Sequence, residues 1–146
     1  MSAKAARNRV EAAVKAWASD LRHKHGVERV GTAILNAGVY GDGRVELDTL
    51  TTDAMLSVFK TNAVGPLLCI RYLREAGLIG GKQGRNNPSL VAAVSSKMGS
   101  VADNTSGGTY AYRASKSALN VAIRSVSIDL APEGVKAVLL HPGYVR

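Results

Sequence analysis

Three short apolar runs limit what this chain can fold into more than any other feature of its sequence. The run from Val30 to Leu35 stops at Asn36-Ala37-Gly38, "SLVAAVSS" (89–96) leads into the polar connection "KMGSVADNTSGG", and "VKAVLLHPG" (135–143) closes on Pro142-Gly143. Runs this short, nearly continuous in apolar residues and bounded by turn formers, read as buried strands. The stretches between them carry a different period. Val10, Val14, Trp17 and Leu21 recur at spacings of three and four, one stripe of an amphipathic helix over residues 8–24. Thr51 or Thr52 can cap a second helix through residue 75, in which Pro66 should bend the axis or cost a backbone hydrogen bond. A third spans residues 110–131 and stops at Pro132 and Gly134, and the glycine- and asparagine-rich "GLIGGKQGRNNP" reads as a loop.

Helix and strand therefore alternate three times, which predicts a parallel sheet with covering helices in one domain and no internal repeat. In such sheets ligands sit in the crevice outside the carboxyl ends of the strands. Asn36 to Gly38, Ser95, Ser96, Pro142 and Gly143 all fall there.

Composition excludes several functions. With 46% hydrophobic residues in 146, the chain can bury a real core. Its single cysteine, Cys69, rules out a disulfide framework within the chain and suits a reducing compartment; a cytoplasmic location is expected, with an organelle as the alternative. No apolar run approaches the roughly 20 residues that span a bilayer, and the opening "MSAKAARNRVEAAVKAW" has no signal-peptide apolar core. The net charge of +8 invites a nucleic-acid reading. The basic residues of the first thirty positions, however, are interleaved with alanine and valine at helical spacing, without an aromatic RNA-binding strand, zinc knuckle or helix-turn-helix. A solvated helix face accounts for them better, and no nucleic-acid partner is expected. His23 and His25 lack the further ligands of a metal site, and His141 lacks the nucleophile elbow of a serine hydrolase.

One constellation carries chemistry. Tyr112 precedes Lys116 by four residues at the start of the third helix, so both side chains share a face, and Ser95 and Ser96 close the preceding strand. A phenol can protonate an alkoxide formed by hydride addition to a carbonyl, and take a proton in reverse. A nearby ammonium favours the phenolate, and a serine hydroxyl polarises the carbonyl oxygen. Tyr110 has alanine at 114 and so no partner lysine. The spacing by itself is weak, and its context strengthens it. "LNAG" (35–38), "NAVGPLL" (62–68), "VSSKMGSVADN" (94–104), "YAYRASKSALN" (110–120) and "HPGYV" (141–145) stand in one order.

With these motifs the chain from about Val30 to Arg146 resembles the short-chain dehydrogenase/reductase family, and within it the C-factor-like and sniffer-like carbonyl reductases. The resemblance implies a Rossmann-like fold and reversible carbonyl/alcohol hydride transfer with NADP or NAD, NADP being favoured. It implies Tyr112 as acid/base and Lys116 as the residue that lowers its pKa and binds the nicotinamide ribose. Ser96 is the implied catalytic serine, followed by Gly99 at the family's usual distance, with Ser95 the fallback. Asn62 is the implied fourth member, supporting a water relay behind the lysine. Asn36, Ala37 and Gly38 are implied beside the adenosine half of the cofactor, and Pro142 and Gly143 beside the nicotinamide. A small carbonyl or alcohol substrate and a homodimer through helices 53–75 and 110–131 follow from the same resemblance.

The chain also departs from the family. Residues 1–35 hold no glycine-rich strand-turn-helix for a pyrophosphate, since the first glycine is Gly26 and Gly31 precedes a strand. The expectation is a partial Rossmann-like domain over 1–146, the catalytic half without the N-terminal dinucleotide-binding half, incomplete at both ends. Little or no turnover is expected from it, with a non-catalytic dimerisation or regulatory partner as the alternative. The strand at 30–35 should then be an exposed apolar edge.

Overall fold

A computed structural model describes residues 3–41 and 46–143. Helix α1 (Ala3–His23) leads to strand β1 (Thr32–Leu35). Helices α2 (Thr52–Phe59) and α3 (Gly65–Glu75) follow, then a single helical turn α4 (Gly81–Gly84), strand β2 (Ser89–Val94), helix α5 (Tyr110–Asp129) and strand β3 (Val135–Leu140). The three strands form one parallel sheet in the order β1-β2-β3. The expected parallel sheet with covering helices is the observed architecture, and β1 lies at its edge.

Register explains which side of the sheet is covered. Ala33, Val91 and Ala137 stand side by side across the strands, and with Ala93 and Val135 they face Ile70 and Leu73 of α3 and Leu119 and Ile123 of α5. That face holds the core. Ile34, Ala92 and Val138 form the adjacent row and point the other way, as period-two alternation requires. No described helix covers this second face: Ile34 is 64% exposed, and Leu90, Val138 and Leu140 are exposed as well. Parallel sheets are ordinarily covered on both faces, so an apolar surface stands open here.

Of the stripe read on α1, Val10, Val14 and Leu21 are partly buried against the body, while Trp17 remains exposed. The helix packs along α3, where Glu11 pairs with Arg71 at 3.0 Å and accepts a hydrogen bond from the Tyr72 hydroxyl at 2.7 Å. Among the described residues no helix is long and apolar enough to cross a membrane.

Thr51, of the two candidate caps, is the one used: its hydroxyl accepts from the Ala54 N–H at 3.2 Å. Pro66 lies inside a helical run whose regular α-helical bonding is interrupted just before it. A π turn, Lys60–Val64, joins α2 to α3 and places Pro66 in the first turn of α3, where its missing N–H falls beside the irregular turn. The loop 77–88 is held at the amino ends of β2 and β3. Its Gly81 N–H donates to the Glu133 carboxylate at 3.0 Å, and Arg74 grips the same carboxylate with two nitrogens.

Candidate active site

The carboxyl ends of β1, β2 and β3 and the first turns of α5 meet around a cavity of about 620 Å³, lined by Tyr40, Ser95, Ser96, Tyr112, Arg113 and Pro142 among others. Topology alone brings them together: parallel strands put all their carboxyl ends on one side, and α5 starts on that side before returning along the covered face.

Tyr112 is half-buried in the cavity wall. One turn further on, Lys116 is only 4% exposed; its ammonium lies 5.7 Å from the centre of the Tyr112 ring and donates to the Val94 carbonyl at 2.8 Å. Burial pushes the Lys116 pKa below the ordinary 10.5. Keeping the ammonium dry costs stability wherever the folded protein still holds the proton, and the cost is relieved as pH rises from the lowered folded value towards the unfolded one. Lys116→Met removes both that cost and the bond to Val94, opposing effects of about 1–3 kcal/mol each. The variant is therefore expected to melt within a few degrees of the wild type at pH 7, with the comparison moving in the wild type's favour at pH 10. Thermal melts at the two pH values test this, and an unchanged difference between them would contradict it.

The two serines are held differently. Ser95 is buried, and its hydroxyl donates to Asn120 Oδ1 at 2.6 Å. Ser96 stands at the head of the 3₁₀ turn Lys97–Gly99, where its hydroxyl oxygen accepts from the Met98 N–H at 3.2 Å. That bond uses a lone pair and leaves the Ser96 hydroxyl proton free. Gly99 lets this turn press on α5, because a β-carbon there would come within 2.9 Å of the Lys116 backbone.

Asn62, fully buried, occupies the π turn. Its Oδ1 accepts from the Val39 N–H and its Nδ2 donates to the Val39 carbonyl, both at 2.8 Å, while Nδ2 also donates to Ser115 Oγ at 3.0 Å. The side chain is thus spent on clamping the segment after β1 to α5. Asn36, Ala37 and Gly38 lie exposed just before that clamp. A β-carbon on Gly38 would stand 3.5 Å from both Lys116 Nζ and Asn62 Oδ1, so this backbone passes directly over the lysine. Pro142 and Gly143 are exposed on the far wall, whereas the Tyr144 and Val145 of their motif lie outside the described residues.

The site also contains residues that sequence reasoning passed over. Tyr40 lays its ring against that of Tyr112, with centroids 4.8 Å apart and planes tilted by 45°, and its hydroxyl is 3.4 Å from Thr109 Oγ1. Thr109 is the one described non-glycine residue with positive φ, 53°, immediately before α5. A threonine is costly there, and such strain recurs at functional sites. Asn120 was within reach, since it ends a quoted motif. Tyr40 offered no pattern.

Comparisons with known proteins identify the family and the fold. The family model described as short chain dehydrogenase matches residues 4–146. The C-signal protein of Myxococcus xanthus is 50% identical over 117 residues, 80% of this chain and 66% of that protein. The 1-hydroxy-2-glutathionyl-2-methyl-3-butene dehydrogenase of Rhodococcus sp. (strain AD45) is 39% identical over 100 residues, 68% of this chain and 41% of that protein. The carbonyl reductase Sniffer of D. melanogaster superposes with a TM-score of 0.83 at 30% identity, covering 93% of this chain and 56% of Sniffer. A carbonyl reductase from Pseudomonas aeruginosa in complex with NADP gives a TM-score of 0.72 at 33% identity, covering 88% and 53%. The chain spans between about two fifths and two thirds of the length of these relatives.

Proposed function

The chain belongs to the short-chain dehydrogenase family, and on that footing we propose that it carries the catalytic half of an NAD(P)-dependent carbonyl reductase. The observation that supports this most is the meeting of Tyr112, Lys116 and Ser96 beside one cavity at the strand ends. A bound NADPH or NADH supplies the hydride that adds to the carbonyl carbon. Tyr112 gives its phenolic proton to the oxygen as the carbon–oxygen double bond opens, and recovers one from solvent. Ser96 donates a hydrogen bond from its free hydroxyl to the same oxygen, orienting it and stabilising the growing negative charge. Lys116 keeps positive charge beside the phenol. Ser95 serves as a structural tie to Asn120, and Asn62 holds the 36–40 segment in place.

The residues present fit the nicotinamide-ribose end of such a cofactor. Lys116 uses one ammonium hydrogen on Val94, and Pro142 and Gly143 border the same cavity, while the exposed segment Asn36 to Gly38 is left for the adenosine half. The neighbour solved with NADP supports NADP as the first cofactor to try. Titration with NADPH and NADH, followed by nucleotide fluorescence and the thermal melt, is expected to show saturable, stabilising binding, with NADPH the tighter. Neither nucleotide binding at millimolar concentration would sink the cofactor reading. Turnover by the isolated chain is expected to be weak, because β1 ends the sheet on the side where the adenosine half would lie.

The open sheet face favours a second reading, a module that docks on a partner and turns over nothing itself. Leu56 on α2 and Val121 and Ile128 on α5 are exposed apolar residues on the helices proposed for a homodimer.

A further inference from the structure

The walls of the cavity carry unequal charge. Lys97 and Arg113 line it against one carboxylate, Asp103. Neither cation forms an ion pair with Asp103 or with any other carboxylate among the described residues. The Arg113 guanidinium donates one bond to a neutral acceptor, Ser106 Oγ at 2.9 Å, and its buried Nε has no acceptor. A guanidinium with so few partners keeps most of its capacity for a planar anion. The first turn of α5, a 20-residue helix without an acidic residue in that turn, adds the positive end of the helix dipole on the same side. Lys116 contributes a further positive charge beneath Tyr112. Tyr40 and Tyr112 add two packed aromatic rings to the cavity lining.

From this arrangement we infer that the cavity selects flat carbonyl compounds bearing an anionic group, with Arg113 and Lys97 receiving the anion while the carbonyl faces Tyr112 and Ser96. The inference rests on the carbonyl-reductase reading of the site and names its substrate class. Arg113 follows Tyr112 directly, so it sits one residue round the helix from the acid/base rather than on the same face. Lys97 follows Ser96 in the same way. Each chemical residue thus has a cation next to it in the chain, and the two approach the cavity from different elements.

The test compares 4-acetylbenzoate with 4-acetylbenzamide, which share the aryl ketone and differ in charge. Ligand-observed NMR titration of the 146-residue chain is expected to show the carboxylate bound about tenfold more tightly than the amide, the scale of one charge-assisted bond. Arg113→Gln and Lys97→Gln should each narrow the gap. Lys97 is exposed, so its variant keeps the fold even if that of Arg113 does not. Equal affinity of the two ketones would overturn the inference and leave the carbonyl-reductase reading standing. A carboxylate preference that survives both substitutions would overturn the assignment to these residues. Binding of neither ketone would overturn the reading of the site itself, and the inference with it.

Discussion

Gly134→Ala is expected to lower the melting temperature by about 10 °C. Gly134 has φ of 75°, a conformation that costs an alanine about 1–2 kcal/mol. Sterics add more. A β-carbon there would collide with the Gly84 carbonyl oxygen, and one on Gly84 would collide with the Glu133 carbonyl oxygen. Neither obstacle is a side chain that can swing away, so two main-chain segments must separate. That movement would also pull Glu133 from Arg74 and from the Gly81 N–H. A total of about 3 kcal/mol or more follows, and each kcal/mol is worth about 2–4 °C in a domain of this size. Gly107→Ala is the control: φ is 59°, yet nothing lies within 4 Å of its β-carbon. It should lose only the strain, about 3 °C. Equal losses for the two variants, measured by calorimetry, would show that the crowding at Gly84 is unimportant.

Tyr112→Phe should reduce carbonyl turnover by about 10²–10⁴-fold, the range for a lost general acid. Weak turnover by the isolated chain does not blur this expectation, because the comparison is with the same chain carrying one more oxygen. The ring stays, and with it the contact to Tyr40, so the fold and the binding of NADPH should change little. Steady-state assays with an excess of NADPH measure the first quantity, and the nucleotide titration the second. A variant with full turnover would remove Tyr112 from the chemistry. One that lost nucleotide binding as strongly as turnover would make the hydroxyl a binding group.

Much of the fold was legible in the sequence because it depends on local patterns. Three apolar runs with turn residues at their ends gave three parallel strands, and the four-residue step from Tyr112 to Lys116 placed both on one face of α5. Which of two threonines caps α2 was not legible, since both suit the position and only the path of the preceding chain decides. Pro66 marked that the second helix would be irregular near its middle, but the sequence does not say that the irregularity takes the form of a π turn. Tyr40 and Arg113 depend on contacts between segments far apart in the chain or on cavity shape, for which no short-range pattern exists. The open sheet face was anticipated only as an exposed edge at β1. Its full extent appeared when the register placed Ile34, Ala92 and Val138 in one row.

The π turn at Lys60–Val64 can be counted as a phase shift. An α-helix advances 100° per residue, so one surplus residue between α2 and α3 rotates everything after it by about that angle. With the surplus, α2 can lie against α5 while α3 presents Ile70 and Leu73 to the sheet. The same surplus lets Asn62 leave the regular helical face and reach both backbone groups of Val39. The irregularity therefore works as a gear between two packing directions, and the clamp on the active-site segment sits on its axle.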